Sequence, residues 1–294
     1  MHIKRTKGEL VFDIINTLLM LGMIFLMGFP IWHVVMASFS DSNEILRAGG
    51  VLFAPLKFTT AAYAKVFTNP NIFNGYKITL FVVIFGTTAN VLFTAIAAYC
   101  LSRKDFMWRG FLNKLVMFTM LFSGGMIPSY IIFNNVYHLG NNILVLILPG
   151  LINTWNLMVM RTSFEGIPES LIESAKLDGA NDIMVLFRIV LPSSMAIIAV
   201  MVLYYGVAHW NAWFNGMLYM RDRSLYPLQL ILREILLINS SGEMLAGVAQ
   251  EEQAAVSESL KYATIVVSTL PILLVYPFLQ KYFVKGVMIG AVKG

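Results

Sequence analysis

Six apolar runs of membrane-crossing length divide this chain, and no other feature limits its fold so sharply. They extend from about Val11 to Met36, Ile78 to Leu101, Phe111 to Phe133, Ile143 to Met160, Ile189 to Met220 and Tyr262 to Phe283. A helix needs about 20 apolar residues to cross a bilayer. Charged residues make up 13% of the 294 positions, and mean hydropathy is +0.72. Soluble domains carry about 25% charged residues, so no stretch here has the balance of one. The reading is an all-α membrane protein with six transmembrane helices. Residues 11–284 form the membrane domain, flanked by a short N-terminus at 1–10 and a tail at 285–294.

Orientation follows from Lys and Arg, which collect on the cytoplasmic side of spanning helices. With the N-terminus inside, the cytoplasmic segments hold Lys4, Arg5, Lys7, Arg103, Lys104, Arg109, Lys114, Arg161, Lys176, Arg188, Lys281, Lys285 and Lys293. The connection between the third and fourth runs has neither Lys nor Arg. Both termini are therefore predicted to be cytoplasmic. The long segments 37–76 and 221–260 fall outside the cell, and 162–190 falls inside. The first run is too long for a signal-peptide core of about 7–15 residues, so it reads as an uncleaved span.

The net charge of +5 reflects these span ends. It carries no basic patch interleaved with aromatics, so a nucleic-acid partner is not expected. Cys100 is the only cysteine and the four histidines are scattered, which gives no disulfide and no metal-ligand spacing.

Between the fourth and fifth runs lies a charged island holding Glu169, Glu173, Lys176, Asp178, Asp182 and Arg188. Each charge would cost about 2.5–3.5 kcal/mol at mid-bilayer, so the island sits in water. Pro168 suits the first helical position, and Glu169 and Glu173 suit the early turns, where the helix dipole favours anions. Leu171, Ala175 and either Ile172 or Leu177 make an apolar stripe. Gly179 is a natural helix stop, and Asn181 or Asp182 can cap a second helix that runs toward Leu191-Pro192. The expected unit is a stiff knob: helix, bend, helix.

The pattern Glu173-x-Ala175-x-x-Asp178-Gly179-Ala180, followed by Ile189-x-Leu191-Pro192, resembles the EAA motif of permease subunits of bacterial ABC importers. Trp210-Asn211-Ala212-Trp213 and the ending Gln280 to Gly294 are similar to the carbohydrate-uptake branch, that of the smaller maltose permease subunit. The resemblance implies a type I ABC importer permease fold in the bacterial plasma membrane. It implies a second homologous permease, two ATP-binding-cassette ATPase subunits and an extracytoplasmic solute-binding protein as partners. Membrane lipid and a carbohydrate substrate, an oligosaccharide or complex saccharide, complete the set. Glu173, Ala175, Asp178, Gly179 and Ala180 would form the ATPase contact, and the tail would run along the ATPase dimer. ATP and Mg would belong to that partner. The chain has no Gly-x-x-x-x-Gly-Lys-Ser/Thr phosphate loop, so it is not expected to be an enzyme or to carry a cofactor.

Polar and aromatic side chains inside spans are costly and face cavities or other helices. Asn153 and Asn156 in the fourth run, and His209, Trp210, Asn211, Trp213 and Asn215 in the fifth, are the candidate substrate path. They could equally join helices or mark the interfacial belt. Ser123-Gly124-Gly125 and Pro128 could unwind the third span. The alternative functions are an ABC permease for a peptide, amino acid or polyol, and an ion-driven secondary transporter. The latter would need buried ionisable residues, for which Asp13 is a poor candidate. No paired acids or nucleophile–base pair at membrane depth suggests an intramembrane enzyme.

Overall fold

The computed structural model describes residues 7–245, 258–275 and 277, and every described element is helical. Three helices are long and apolar enough to cross a bilayer: α1 (Lys7–Ser38), α4 (Pro70–Ser102) and, later in the chain, Glu258–Val275. Three further apolar pairs are bent, which gives up to six crossings if each pair is one span. The tail, with Gln280 to Gly294, lies outside the described residues.

The chain divides into two compact units. Of the described residues, the first comprises 7–69, 234–245 and 258–269. In it α1 is followed by the short helices α2 (Ser42–Ala48) and α3 (Ala61–Thr68). Asp41 caps α2 through the Asn43 N–H, and Gly49 ends it in the left-handed conformation. Ala37, Ile45 and Leu52 form a small core with Tyr262 packed on it. The Leu52 N–H donates to His33 Nδ1 at 3.0 Å, and the His33 ring meets Tyr262 edge-on. Most of α1 exposes Leu, Ile, Phe and Met side chains, as suits a helix whose solvent is lipid.

Of the described residues, the second unit comprises 70–233 and those from 270 onward. Here α4 is helical from Pro70, eight residues before the apolar run begins, because a proline fits a helix start. A π-helical turn at Val82–Gly86 interrupts it. Next come α5 (Arg109–Leu121) and the segment Met126–Val136 (α6), bent by 112° at the Ser123-Gly124-Gly125 break. Gly125 sits at φ +84, a conformation that favours glycine. The 3-10 stretch Ile143–Gly150 then bends by 53° into α7 (Thr154–Glu165). The knob helix α8 (Glu169–Leu177) follows. Beyond it Asp182–Ser193 (α9) bends by 87° into α10 (Met195–Trp210), beside Pro192. The short α11 (Phe214–Tyr219) follows, then α12 (Leu228–Leu245), which begins in this unit and continues into the first; Glu258–Val275 is α13.

At the bend between Ile143–Gly150 and α7 the backbone is not left bare. Asn90 on α4 donates both amide hydrogens to the carbonyls of Gly150 (2.7 Å) and Leu151 (2.8 Å). Its Oδ1 lies 2.6 Å from His209 Nε2, which makes that nitrogen the donor. Tyr205 on α10 accepts from the Asn153 N–H at 3.0 Å and hydrogen-bonds Thr94 at 2.8 Å. The bent segment Ile143–Glu165 is thereby fastened to α4 and α10 at its bend. Gly86 makes this close approach possible, since a Cβ there would lie 2.8 Å from His209 Nε2. Asn90→Leu leaves two carbonyls and one imidazole N–H unpaired, at about 1–3 kcal/mol each. We expect it to lower stability by more than about 3 kcal/mol, read as the unfolding midpoint of the detergent-solubilised chain. An unchanged midpoint would contradict the fastening role.

Candidate coupling site and substrate path

The knob ends as its sequence predicts, with one shift at its start. Pro168 is the N-cap (φ −56, ψ 128) and Glu169 is the first helical residue. Proline also suits that flanking position because its extended ψ turns the chain into the helix. At the other end Asp178 is the C-cap and Gly179 has φ +86. The Gly179 N–H donates to the Lys176 carbonyl (3.1 Å), and the Ala180 N–H donates to the Ala175 carbonyl (2.9 Å). This pair of reversed bonds is a Schellman stop, which requires a left-handed residue at Gly179. Asn181 then caps α9, accepting from the Met184 N–H at 2.8 Å.

Ile172, 4% exposed, inserts into a core with Tyr99, Met160, Phe164, Val185 and Val190. Of the two alternatives for the inner stripe, Ile172 is therefore the buried one, and Leu177 is 88% exposed. Burying a side chain of this size contributes about 1.5–3 kcal/mol where the alternative is water. Ala175 and Ala180 also lean on that core. Glu173 and Asp178 face outward with Leu171, Leu177 and Ile183. Glu173 makes no hydrogen bond or ion pair among the described residues.

Charge holds the knob to the segment between α4 and α5. Lys104 reaches Glu169 at 2.9 Å, and Arg109 and Arg161 both reach Glu165, at 2.5 and 2.7 Å. Lys176 spans Asp182 (3.2 Å) and Asp105 (3.4 Å), while the Tyr99 hydroxyl donates to Asp182 at 3.0 Å. The Lys104 ammonium holds the Glu169 carboxyl below the usual range, and the Asp182 carboxylate holds the Lys176 ammonium above it. Exposed pairs are worth little singly, so orientation rather than stability is what this ring supplies. Sequence reasoning missed Tyr99, Lys104, Asp105, Arg109 and Glu165 as members of the site. The available signal was opposite charge on two segments assigned to the same side of the membrane.

The residues of the expected substrate path divide into groups. His209 and Asn153 belong to the fastening network, and Asn153 also caps α7 through the Asn156 N–H. Asn156 is buried. Trp210 lines an apolar cavity of about 700 Å³ with Leu80, Ile84, Leu203 and Val275, where a sugar would meet almost no polar atoms. Asn211, Trp213 and Asn215 stay together at the turn from α10 to α11. The Arg233 guanidinium lies 4.4 Å from the Trp213 ring centre. Among the described residues no group of His, Cys, Asp and Glu is placed to hold a metal.

Residues 90–289 match the family of binding-protein-dependent transport system inner membrane components. The chain belongs to this family. The permease is 41% identical, over 90% of its own length and 92% of the relative, to the polygalacturonan/rhamnogalacturonan transport system permease protein YtcP of Bacillus subtilis. It is 38% identical to Protein LplC of the same organism, over 98% and 97% of the two chains. Its fold superposes, with a TM-score of 0.85 and 27% identity, on a chain of a bacterial ABC transporter involved in the import of the acidic polysaccharide alginate. That match covers 96% of this permease and 100% of the other chain. The permease is thus an inner-membrane transport component of type I ABC permease fold, and both the charged knob and the fastened bend before α7 lie within the matched region.

Proposed function

We propose that this permease carries an oligosaccharide across the plasma membrane, received from an extracytoplasmic binding protein and driven by separate ATPase subunits. The likeness over nearly the full length to a permease named for polygalacturonan/rhamnogalacturonan transport carries the substrate class. The knob carries the coupling: Glu173, Asp178 and Gly179, with Leu177 and Ile183, form the face that docks on the ATPase. Ala175 and Ala180 support that face from behind. A second permease subunit completes the path by alternating access, in which rigid bodies rock about a central site. The ring of ion pairs makes α8 move with the segment between α4 and α5. Asn211, Trp213 and Asn215 are the path residues best placed to meet sugar, by amide hydrogen bonds and an aromatic face; Asn153, Asn156, His209 and Trp210 shape the spans around them.

Reconstitution in vesicles tests this reading. With ATPase, second permease and binding protein present, labelled oligosaccharide should enter only with ATP. The permease alone should hydrolyse no ATP, because nucleotide and Mg belong to the partner. Uptake driven by a proton or sodium gradient without ATPase would favour a secondary transporter and overturn it.

A further inference from the structure

In the second unit, two connections assigned to the outside meet each other. The Asn141 N–H donates to the Tyr219 carbonyl at 3.0 Å. Asn141 Oδ1 accepts from the backbone N–H groups of Arg221 (3.0 Å) and Asp222 (2.8 Å). Between them opens a polar cavity of about 240 Å³ lined by Asn134, His138, Gly140, Asn141 and Arg221. Among the described residues, two of the three non-glycine positions with positive φ, His138 (φ 52) and Asn141 (φ 58), are in this wall. Such backbone persists only where surrounding structure holds it. A Cβ on Gly140 would collide with Asn134 Oδ1, so glycine leaves room for the Asn134 side chain as it stands.

The hydrogen-bonding capacity of the wall is unevenly spent. Both bonds to Asn141 end on Oδ1, so its amide N–H groups are left as donors. Neither the Arg221 guanidinium nor the His138 ring has a hydrogen bond or ion pair among the described residues. Asn134 donates to Asn135 and leaves its own carbonyl oxygen as an acceptor. The neighbouring acid, Asp222, is turned to the Ser224 N–H and is not in the wall. Several donors, one a planar cation, thus face one acceptor. Arg matches a carboxylate bidentately, and the acceptor suits an adjacent hydroxyl. A carboxylate next to hydroxyl groups is the chemistry of a uronic acid.

We infer that this cavity binds the carboxylate of an acidic sugar unit and selects acidic over neutral oligosaccharides at the outer mouth of the permease. The inference rests on the carbohydrate reading above and adds the charge of the substrate. The probes are trigalacturonate and its methyl ester, at millimolar concentration. Saturation-transfer NMR would be read on the full transporter complex in nanodiscs, without binding protein. Wild type should bind the acid at least tenfold better than the ester. Arg221→Gln should abolish that preference, Arg221→Lys should restore part of it, and ester binding should change less than twofold. Equal binding of acid and ester by wild type, an unaltered preference in Arg221→Gln, or no binding of either probe would each overturn the inference. The carbohydrate reading is judged separately, by ATP-dependent uptake of labelled oligosaccharide, acidic or neutral, with the binding protein present. That uptake can succeed where the acid preference fails.

Discussion

Gly179→Pro should abolish transport while the permease still inserts into the membrane. Proline fixes φ near −65° and has no N–H. The native residue has φ +86 and donates its N–H to the Lys176 carbonyl. The substitution therefore removes the Schellman stop and turns α9 away from α8. Because α8 is anchored through Ile172, Lys176 and Glu169, it stays near its place while the docking face it shares with Asp178 and Ile183 is broken up. The glycine faces open space, so the defect comes from the backbone and not from crowding. Gly179→Ala separates the two causes. An L-residue in this conformation loses about 1–2 kcal/mol, so its uptake should fall on the order of 5–30-fold rather than vanish. Uptake and membrane-fraction yield, measured together, check both variants. Full uptake by Gly179→Pro would mean that the bend transmits nothing.

Glu173→Lys should reduce uptake more than about 100-fold with almost no change in folding. Its carboxylate is exposed and has no partner within the described chain, so the fold loses nothing by its reversal; surface changes of this kind stay within about 0.5 kcal/mol. At an interface the same reversal places like charges together, which costs several kcal/mol. The two variants therefore differ in kind: one breaks the shape of the knob and the other only its charge. Substrate-stimulated ATP hydrolysis should be lost in both, and the unfolding midpoint should move only for Gly179→Pro. A compensating acidic substitution on the ATPase should recover transport for Glu173→Lys alone. Normal uptake by Glu173→Lys would remove Glu173 from the contact.

What could be read from the sequence was what depends on local pattern. The apolar runs marked the helices because a spanning helix must be continuous in composition, and Gly179 marked the stop because few other residues adopt its conformation. Ser123-Gly124-Gly125 announced the break in the third span for the same reason. Pro168 and Pro70 were harder, since proline is compatible with both sides of a helix start, and each moved the boundary by a residue or by two turns. The stripe on α8 was ambiguous at Ile172 and Leu177 because both positions suit a short helix; only the packing of Phe164 and Val185 against it decides. Long-range pairing left no local trace at all. Asn90 and His209 are 119 residues apart, so a histidine that fastens helices looked like one that meets substrate. The ion-pair ring was hidden for the same reason: Lys104 and Glu169 look like ordinary loop charges until the fold brings the two segments together.

The claim on which coupling depends is that the Glu173–Gly179 face lies in the cytoplasm under an ATPase subunit. A single cysteine at Asp178, in a Cys100→Ser background, probes it with a membrane-impermeant maleimide. We expect no labelling in intact cells, rapid labelling in inside-out vesicles stripped of ATPase, and protection when the ATPase subunits are added back. Labelling of Asp178→Cys from outside intact cells would contradict the account.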